Sequence, residues 1–384
     1  MRFLHTSDWH IGKPLRGRSR IPEYEKVLAE VLEITLTEKI ECVLISGDLF
    51  DSFTPTAEAE RLVFHFFSKL NRFGIKSVII SGNHDHPKRL VALSPLLRPL
   101  GIIAHTVPTS GPNNGLVEIQ NGEDRVRIGV LPFINYSQLL KADELFGDQI
   151  KTLQTYSDRL NVLLKNLGKH HRPDSINVIL GHFFVANAKT SGSERALQAG
   201  IPYEIFPESI PENFQYIAIG HLHRPQSIRA PSPTHYAGSL LQLDFGEQGQ
   251  RKQVNIIDAQ PGVPATVTSI PLSTGRPLME LEGELDDLKQ FSTRVGNAYL
   301  KIHLHTSEPG QDLGQQVKKL FPNAVEVHLV QPREAQEAIP QRLGKLQPED
   351  MLREFYISRG RPSPSPAMMT MFKEFHSEAL DETN

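Results

Sequence analysis

The 384 residues are 39% hydrophobic and 22% charged, the balance of an ordinary soluble protein with length for two or three domains at about 150 residues each. A formal charge of −3 excludes a uniformly basic nucleic-acid binder, while leaving room for a local basic path. The single cysteine, Cys42 in the apolar run IECVLIS, excludes an internal disulfide and fits a reducing cytoplasm.

The opening MRFLHTSDWH lacks the long apolar region of a signal peptide and reads as a first strand, RFLHTS. Ile21 to Glu38 follows as a helix, with Val27, Val31 and Leu32 at helical spacing and Pro22 in its first turn. CVLIS is a second strand, EAERLVFHFFSKLNRFG a second helix closed by Gly74, and KSVIIS a third strand. This β-α-β-α-β order predicts a largely parallel sheet with right-handed crossovers. RVRIGVLPF, NVIL and YIAIG supply later strands. From about Gly275 the texture changes to a strand, an acidic helix, a strand, a helix and a strand, a small α+β module. The closing segment reads as two helices, PEDMLREFYISRG and AMMTMFKEFHSEAL, flanking a Pro/Ser spacer. No stretch of about 18 apolar residues marks a membrane span.

The strands share a feature at their carboxyl ends. Asp8 and His10 follow the first, Asp48 and Asp51 the second, and Asn83, His84 and Asp85 the third. His182 follows NVIL, and His221 and His223 follow YIAIG. Ligands gather outside the carboxyl ends of strands in open α/β sheets. Any one of these stretches alone reads as a polar turn. Repetition behind five strands points to metal, and carboxylate with imidazole is a donor set for divalent cations. In extended chain, positions i and i+2 face one way, which would aim Asp8 with His10 and His221 with His223. Glycines before Asp48, Asn83, His182 and His221 permit tight turns there.

In this order DWH, GDLFD, GNHD, GH and GHLH resemble the calcineurin-like metallophosphoesterases. SDWHIGK, GSLLQLDFGE and the overall layout are similar to the SbcD family of nuclease subunits within them. The resemblance implies an α/β sandwich of sheets flanked by helices, over 1–274. It further implies a small α+β capping, DNA-binding domain over 275–335 and C-terminal partner-binding helices over 336–384. It implies two divalent ions, Mn2+ by family habit: Asp8, His10, Asp48 and His223 hold one, while Asn83, His182 and His221 complete the other across a bridging Asp48. His84 faces the phosphate and assists the leaving oxygen, and water is the nucleophile. Asp51 either orients a ligand behind the metals or stabilises a turn. The implied activity is exonuclease and endonuclease cleavage of DNA at duplex ends or hairpins, in DNA repair and recombination. The implied assembly is a homodimer with an SbcC-like coiled-coil ATPase subunit; this chain has no Walker A sequence of its own, so any ATP hydrolysis must come from that partner. A phosphomonoesterase or cyclic-nucleotide phosphodiesterase of the same fold, and a non-catalytic assembly scaffold, are the alternatives.

Basic residues trail the motifs: Lys13, Arg16, Arg18 and Arg20 after the first, Lys88 and Arg89 after the third, Arg224 and Arg229 after the last. They read either as a phosphate-tracking rim or as solvated loop charge. Lys189 to Arg195, KTSGSER, reads as a mobile loop beside His182. At the C-terminus Leu352, Phe355 and Tyr356, then Met368, Met371, Phe372, Phe375 and Ala379, follow helical spacing, suited to a partner groove or to docking on the chain's own body. The aromatics of the helix Glu58 to Phe73 serve either a homodimer face or the core. His5, Trp9 and His65 read as packed residues, His86 as a turn residue, and His303, His305 and His328 carry no ligand pattern.

Overall fold

The computed structural model describes residues 1–107, 115–135, 139, 155–194, 204–306, 313–330, 348–358, 363–366 and 368–373. It divides into two units, Met1–Val330 and Gln331–Asn384.

In the first unit, the strands β1 (Arg2–Thr6), β2 (Cys42–Ile45), β3 (Lys76–Ile80) and β4 (Ile102–His105) run parallel. They alternate with the helices α1 (Ile21–Thr37), α2 (Ala57–Arg72) and α3 (Pro87–Leu97), as the sequence predicts. A second sheet is built from the hairpin β5 (Leu116–Asn121) and β6 (Asp124–Leu131), then helix α4 (Tyr156–Gly168) and β7 (Ile176–His182). After the short pair β8 (Phe184–Val185) and β9 (Glu204–Ile205), it continues with β10 (Tyr216–Gly220), β11 (Gln226–Ile228) and β12 (Thr234–Tyr236). The chain then returns to the first sheet as the antiparallel hairpin β13 (Gln253–Gln260) and β14 (Val263–Pro271). The sheet orders are β14-β13-β1-β2-β3-β4 and β11-β12-β10-β7-β6-β5.

The two sheets share one apolar layer, and this explains the unbroken hydrophobic runs of the central strands. Phe3, Cys42, Leu44, Val78 and Ile80 meet Ile176, Val178, Leu180, Tyr216 and Ala218 there. The alternate residues Leu4, Val43, Ile45 and Ile79 point the other way, onto α1 and α2 through Tyr24, Val27, Val31, Phe66 and Phe67. On the outer face of the second sheet, Ile179, Ile217 and Ile219 pack with Leu160, Leu163 and Leu164 of α4. Strands buried on both faces read as continuous rather than alternating. The expected α/β sandwich flanked by helices is thus borne out. Cys42 is fully buried, and desolvation pushes its thiol up to about 12.

A third, parallel sheet follows: β15 (Leu278–Gly283), α5 (Leu285–Lys289), β16 (Tyr299–His305), α6 (Leu313–Leu320) and β17 (Ala324–Val330), in the order β15-β16-β17. Leu281, Leu300, Ile302 and Leu304 pack with Val317 and Phe321. In the second unit α7 (Pro348–Ser358) forms where the pattern predicts, and Met368 to Lys373 are helical. No helix among the described residues is long and apolar enough to cross a membrane.

Of the two readings of the α2 aromatics, the core one describes Phe66 and Phe67, which face the core of their own unit, Phe66 edge-on to Trp9 and Phe67 stacked on it; Phe73, just past the helix end, is 58% exposed. One expectation changes. His65 is exposed rather than packed, because it falls on the solvent side of that helix. Trp9 and His5 are buried as read, His5 between the Tyr216 hydroxyl (2.9 Å) and Ser46 Oγ (2.8 Å).

Candidate metal centre

The carboxyl ends of β1, β2 and β3 meet those of β7 and β10 at one edge of the sandwich. Asp8, His10 and His223 lie together there, as do Asp8, Asp48 and His182, and His10, Asp48 and His84; within each trio the donor atoms lie within 4.8 Å of one another. Asn83 Oδ1 stands 3.0 Å from His182 Nε2 and 3.0 Å from His221 Nδ1. Asp48 Oδ2 is 3.5 Å from His10 Nε2 and 3.6 Å from His182 Nε2. Thus Asp8, His10, Asp48, Asn83, His84, His182, His221 and His223 are brought into one cluster.

The route to convergence differs from the expected one. Asp8 and His10 do not alternate along an extended strand; both are left-handed, with φ of 48° and 46°. Asp48 (54°) and His221 (104°) are left-handed too. Such backbone costs a non-glycine residue and persists only where its surroundings over-determine it. Here they do: Asp8 N donates to Gly47 O, His10 N to Asp48 O, and His221 N to Asp8 Oδ1 (3.0 Å). The close approach needs glycine at Gly82, where a Cβ would strike the Asp48 carboxylate, and at Gly220, where it would strike the Ser46 carbonyl.

His182, His84 and His10 each have a group standing behind the ring. His182 Nδ1 donates to Ser46 O at 2.7 Å, so the hydrogen sits on Nδ1 and the lone pair on Nε2. His84 Nδ1 donates to Asp51 O at 2.8 Å, and the His84 backbone N–H donates to Asp48 Oδ1 at 2.8 Å. His10 Nδ1 stands 3.4 Å from Asp51 Oδ1, which Lys13 also reaches at 3.1 Å. Asp51 therefore stands behind two histidines, one through its side chain and one through its carbonyl. Against the cost of its burial, His10 and Lys13 hold its carboxyl down to about 2.

The electrostatics favour a cation. Asp8 and Asp48 are 0% and 1% exposed. Burial pushes Asp8 up to about 7; burial, with Asp85 and Asp8 nearby, pushes Asp48 well above its ordinary range. Burial holds His10 and His221 down to about 3 and His182 well below 6.5, so these rings are neutral donors. His10 Nε2 is buried with no hydrogen-bond partner among the described residues, and its Nδ1 has only the 3.4 Å contact with Asp51. His182 Nε2 presents a lone pair to the acceptor Asn83 Oδ1 at 3.0 Å. Acceptors aimed at one another in a buried space fit a divalent cation between them, and this mix of oxygen and imidazole nitrogen fits Mn2+ among others.

Some predicted residues lie elsewhere. Arg20 is corrected: it is 2% exposed, paired with Glu23 at 2.8 Å, and 5.7 Å over the Tyr299 ring, so it cannot line a surface rim. Asp85 is in none of the donor trios; it accepts from Gly82 N (2.9 Å), Leu49 N (3.2 Å) and Phe50 N (3.1 Å), tying two motif loops together. Arg16 reaches Asp244 (2.9 Å) and Glu326, and Arg89 reaches Glu60 (3.1 Å). Arg18 and Lys88 are exposed. His86 caps α3, accepting from Arg89 N. Phe355, Met368 and Met371 are exposed at 54%, 41% and 57%, Leu352 and Phe372 are half-buried, and Phe375, Ala379 and Arg195 lie outside the described residues. The residues missed in sequence are Glu247, Lys252 and Ser193, which surround His223; the signal for Glu247 was the stretch GSLLQLDFGE itself.

Residues 1–225 match the family described as calcineurin-like phosphoesterase, and residues 274–359 match the type 5 capsule protein repressor C-terminal domain. The SbcD subunit of nuclease SbcCD from Bacillus subtilis (strain 168) is 32% identical over 393 aligned residues, covering 100% of this chain and 99% of that protein. The chain belongs to the SbcD family of calcineurin-like phosphoesterases. A second SbcD, from Staphylococcus epidermidis, is 29% identical over 84% of each chain. A dimetal phosphatase from Danio rerio shares 12% identity, covering 70% of this chain and 98% of that one, with a TM-score of 0.41. In this SbcD-family chain the phosphoesterase match spans every member of the donor cluster, from Asp8 to His223.

Proposed function

We propose that the chain is the nuclease subunit of an SbcCD-type complex, hydrolysing DNA phosphodiesters with two divalent ions, Mn2+ foremost. The carrying observation is the convergence of eight donors from both sheets in a chain 32% identical, over its full length, to the SbcD subunit of a nuclease SbcCD. Asp8, His10, Asp48 and His223 would hold one ion, and Asp48, Asn83, His182 and His221 the other. Two such ions supply charge neutralisation and Lewis acidity to an in-line displacement at phosphorus. The protein's part is orientation and proton handling. Ser46 O and Asp51 fix the rings of His182, His84 and His10, and the His84 N–H holds Asp48. His84, with its hydrogen-bearing Nδ1 turned to Asp51 O, would present Nε2 to the phosphate and, as the imidazolium with a second hydrogen on Nε2, would give that proton to the leaving oxygen.

The same reading divides the chain into a nuclease domain over 1–274, a capping domain over 275–335 and a partner segment over 336–384. The family match that begins at residue 274 supports the first boundary and runs across the second, which only the unit boundary after Val330 favours. An SbcC-like coiled-coil ATPase is the proposed partner for the exposed Phe355, Met368 and Met371. DNA is the substrate, a homodimer the assembly, and the cytoplasm, which keeps Cys42 reduced, the location. The test is incubation with Mn2+ and labelled duplex or single-stranded DNA, beside a small phosphoester and His84→Ala. DNA cleavage that falls by about 10²–10⁴-fold in the variant is expected. Turnover of the small ester alone would point to a phosphomonoesterase, and no turnover even with the ATPase would point to a scaffold.

A further inference from the structure

Glu247 has 0% exposure and lies outside the five donor motifs, at the end of the stretch GSLLQLDFGE. It ends a short turn, Phe245–Glu247, whose Phe245 packs with Leu15, Leu278 and Tyr299. Its Oε1 accepts from His223 Nδ1 at 3.0 Å and from Ser193 Oγ. Its Oε2 accepts from Leu243 N at 3.1 Å and pairs with Lys252 Nζ at 2.6 Å. Lys252, 6% exposed, also donates to the His223 carbonyl at 2.8 Å. One buried ion pair therefore grips His223 twice, by its ring and by its backbone.

Stability alone does not call for such a pair. Burying two charges costs desolvation that their attraction only offsets, and neutral replacements of buried pairs are often tolerated. What a carboxylate behind an imidazole does supply is a fixed tautomer, a fixed ring plane and a more basic opposite nitrogen. The donor set is uneven in this respect. His10 and His223 are backed by carboxylates, Asp51 and Glu247, whereas His182 is backed by the neutral Ser46 carbonyl.

We propose that Glu247 and Lys252 act as one positioning unit for His223, with Ser193 as its outer member, and so set the affinity of one of the two ions. Glu247 keeps the hydrogen on Nδ1 and turns Nε2 toward Asp8 and His10. Lys252 holds Glu247 ionised and anchors the backbone that carries the ring. The inference rests on the two-metal reading and adds to it a dependence that separates the two ions.

The test is Mn2+ titration of the full chain, followed by electron paramagnetic resonance. Wild type, Glu247→Gln/Lys252→Met and Ser193→Ala are compared. The double variant removes both charges together and leaves no lone buried charge. Two ions are expected in wild type, with a spin-coupled signal. In the double variant one ion is expected to weaken by about 10–100-fold and the other to hold, leaving a mononuclear six-line spectrum. If the double variant does not fold, Ser193→Ala decides, with one ion expected to weaken by about threefold or more. Unchanged affinity for both ions, or equal weakening of both, overturns the proposal. Wild type that binds no Mn2+ overturns the two-metal reading instead.

Discussion

Asp8, His10, Asp48 and His221 each hold a left-handed backbone that costs a non-glycine residue about 1–3 kcal/mol. The site stands because hydrogen bonds between the motif loops fix each turn from outside, and glycines leave them room. Gly220 is the sharpest case, since a Cβ there meets the Ser46 carbonyl that orients His182. Gly220→Ala is expected to cost about 1–3 kcal/mol, read as a lower urea midpoint at unchanged slope, together with weaker Mn2+ binding. An unchanged midpoint would show that the loops are looser than described. Protons test the same centre. Burial raises Asp8 to about 7, so below that pH its carboxyl carries a proton that a cation must displace. The sign follows: lowering pH from 8 to 6 increases proton release on Mn2+ binding and weakens the apparent affinity, by up to about tenfold per pH unit for each proton released. Calorimetry in two buffers of different ionisation enthalpy reads that number directly, and a pH-independent zero refutes it. The donors themselves were legible in the sequence because each follows an apolar strand within a few residues. The stretch GSLLQLDFGE marked Glu247, but the role of Glu247 and Lys252 behind His223 was not legible, because His223 is 24 residues or more away and no local pattern links them.

The segment between the first motif and α1 shows how a charge pattern misleads. Lys13, Arg16, Arg18 and Arg20 look alike in sequence, yet the chain bends so that they meet different surroundings. Leu15 packs with Phe245, Leu278 and Tyr299, drawing the segment against the third sheet. Arg276 lies 3.7 Å from the Tyr299 ring centroid, and the Tyr299 hydroxyl donates to Glu23, the partner of Arg20. Arg20→Ala would leave the Glu23 carboxylate, which is 7% exposed, without its counter-charge, on the Tyr299 hydroxyl and the Arg276 N–H alone. A loss of about 3–5 kcal/mol in denaturant unfolding is expected, with DNA affinity at low denaturant little changed. Arg18→Ala and Lys88→Ala are the reverse case, since both residues are exposed. If they face the DNA backbone, each lowers the slope of log affinity against log salt by about 0.9 while stability holds. Equal slopes in wild type and both variants would leave them as solvated charge. Periodicity revealed α1 and α2 to within a residue or two because each packs one apolar stripe on a sheet. The return of β13 and β14 to the first sheet was not legible, because strand order is set by long-range pairing that leaves no local mark.

At the scale of the molecule, the division after Val330 separates two kinds of surface. Every donor of the metal cluster, and every apolar layer that supports one, belongs to the first unit. The second carries Phe355, Ile357, Met368 and Met371, all exposed, on short helical segments. Helices this short are marginal alone and gain stability from an apolar face that packs on something. The fold of the first unit should therefore be independent of residues 331–384, while assembly should depend on them. A chain ending at Val330 is expected to unfold cooperatively, to bind Mn2+ with the full-length stoichiometry and affinity, and to lose capture by the proposed ATPase partner. Replacing Met368 and Met371 with Glu in the full chain places two charges on that face and leaves every donor residue unchanged. It should weaken capture by an amount comparable to burying unpaired charge at an interface, about 2–5 kcal/mol or 30-fold and more, with Mn2+ affinity unchanged. Capture at wild-type strength by both the truncated and the charged chains would move the partner surface onto the first unit, where the face of the third sheet bearing Glu280, Lys301 and His303 would be the next to alter.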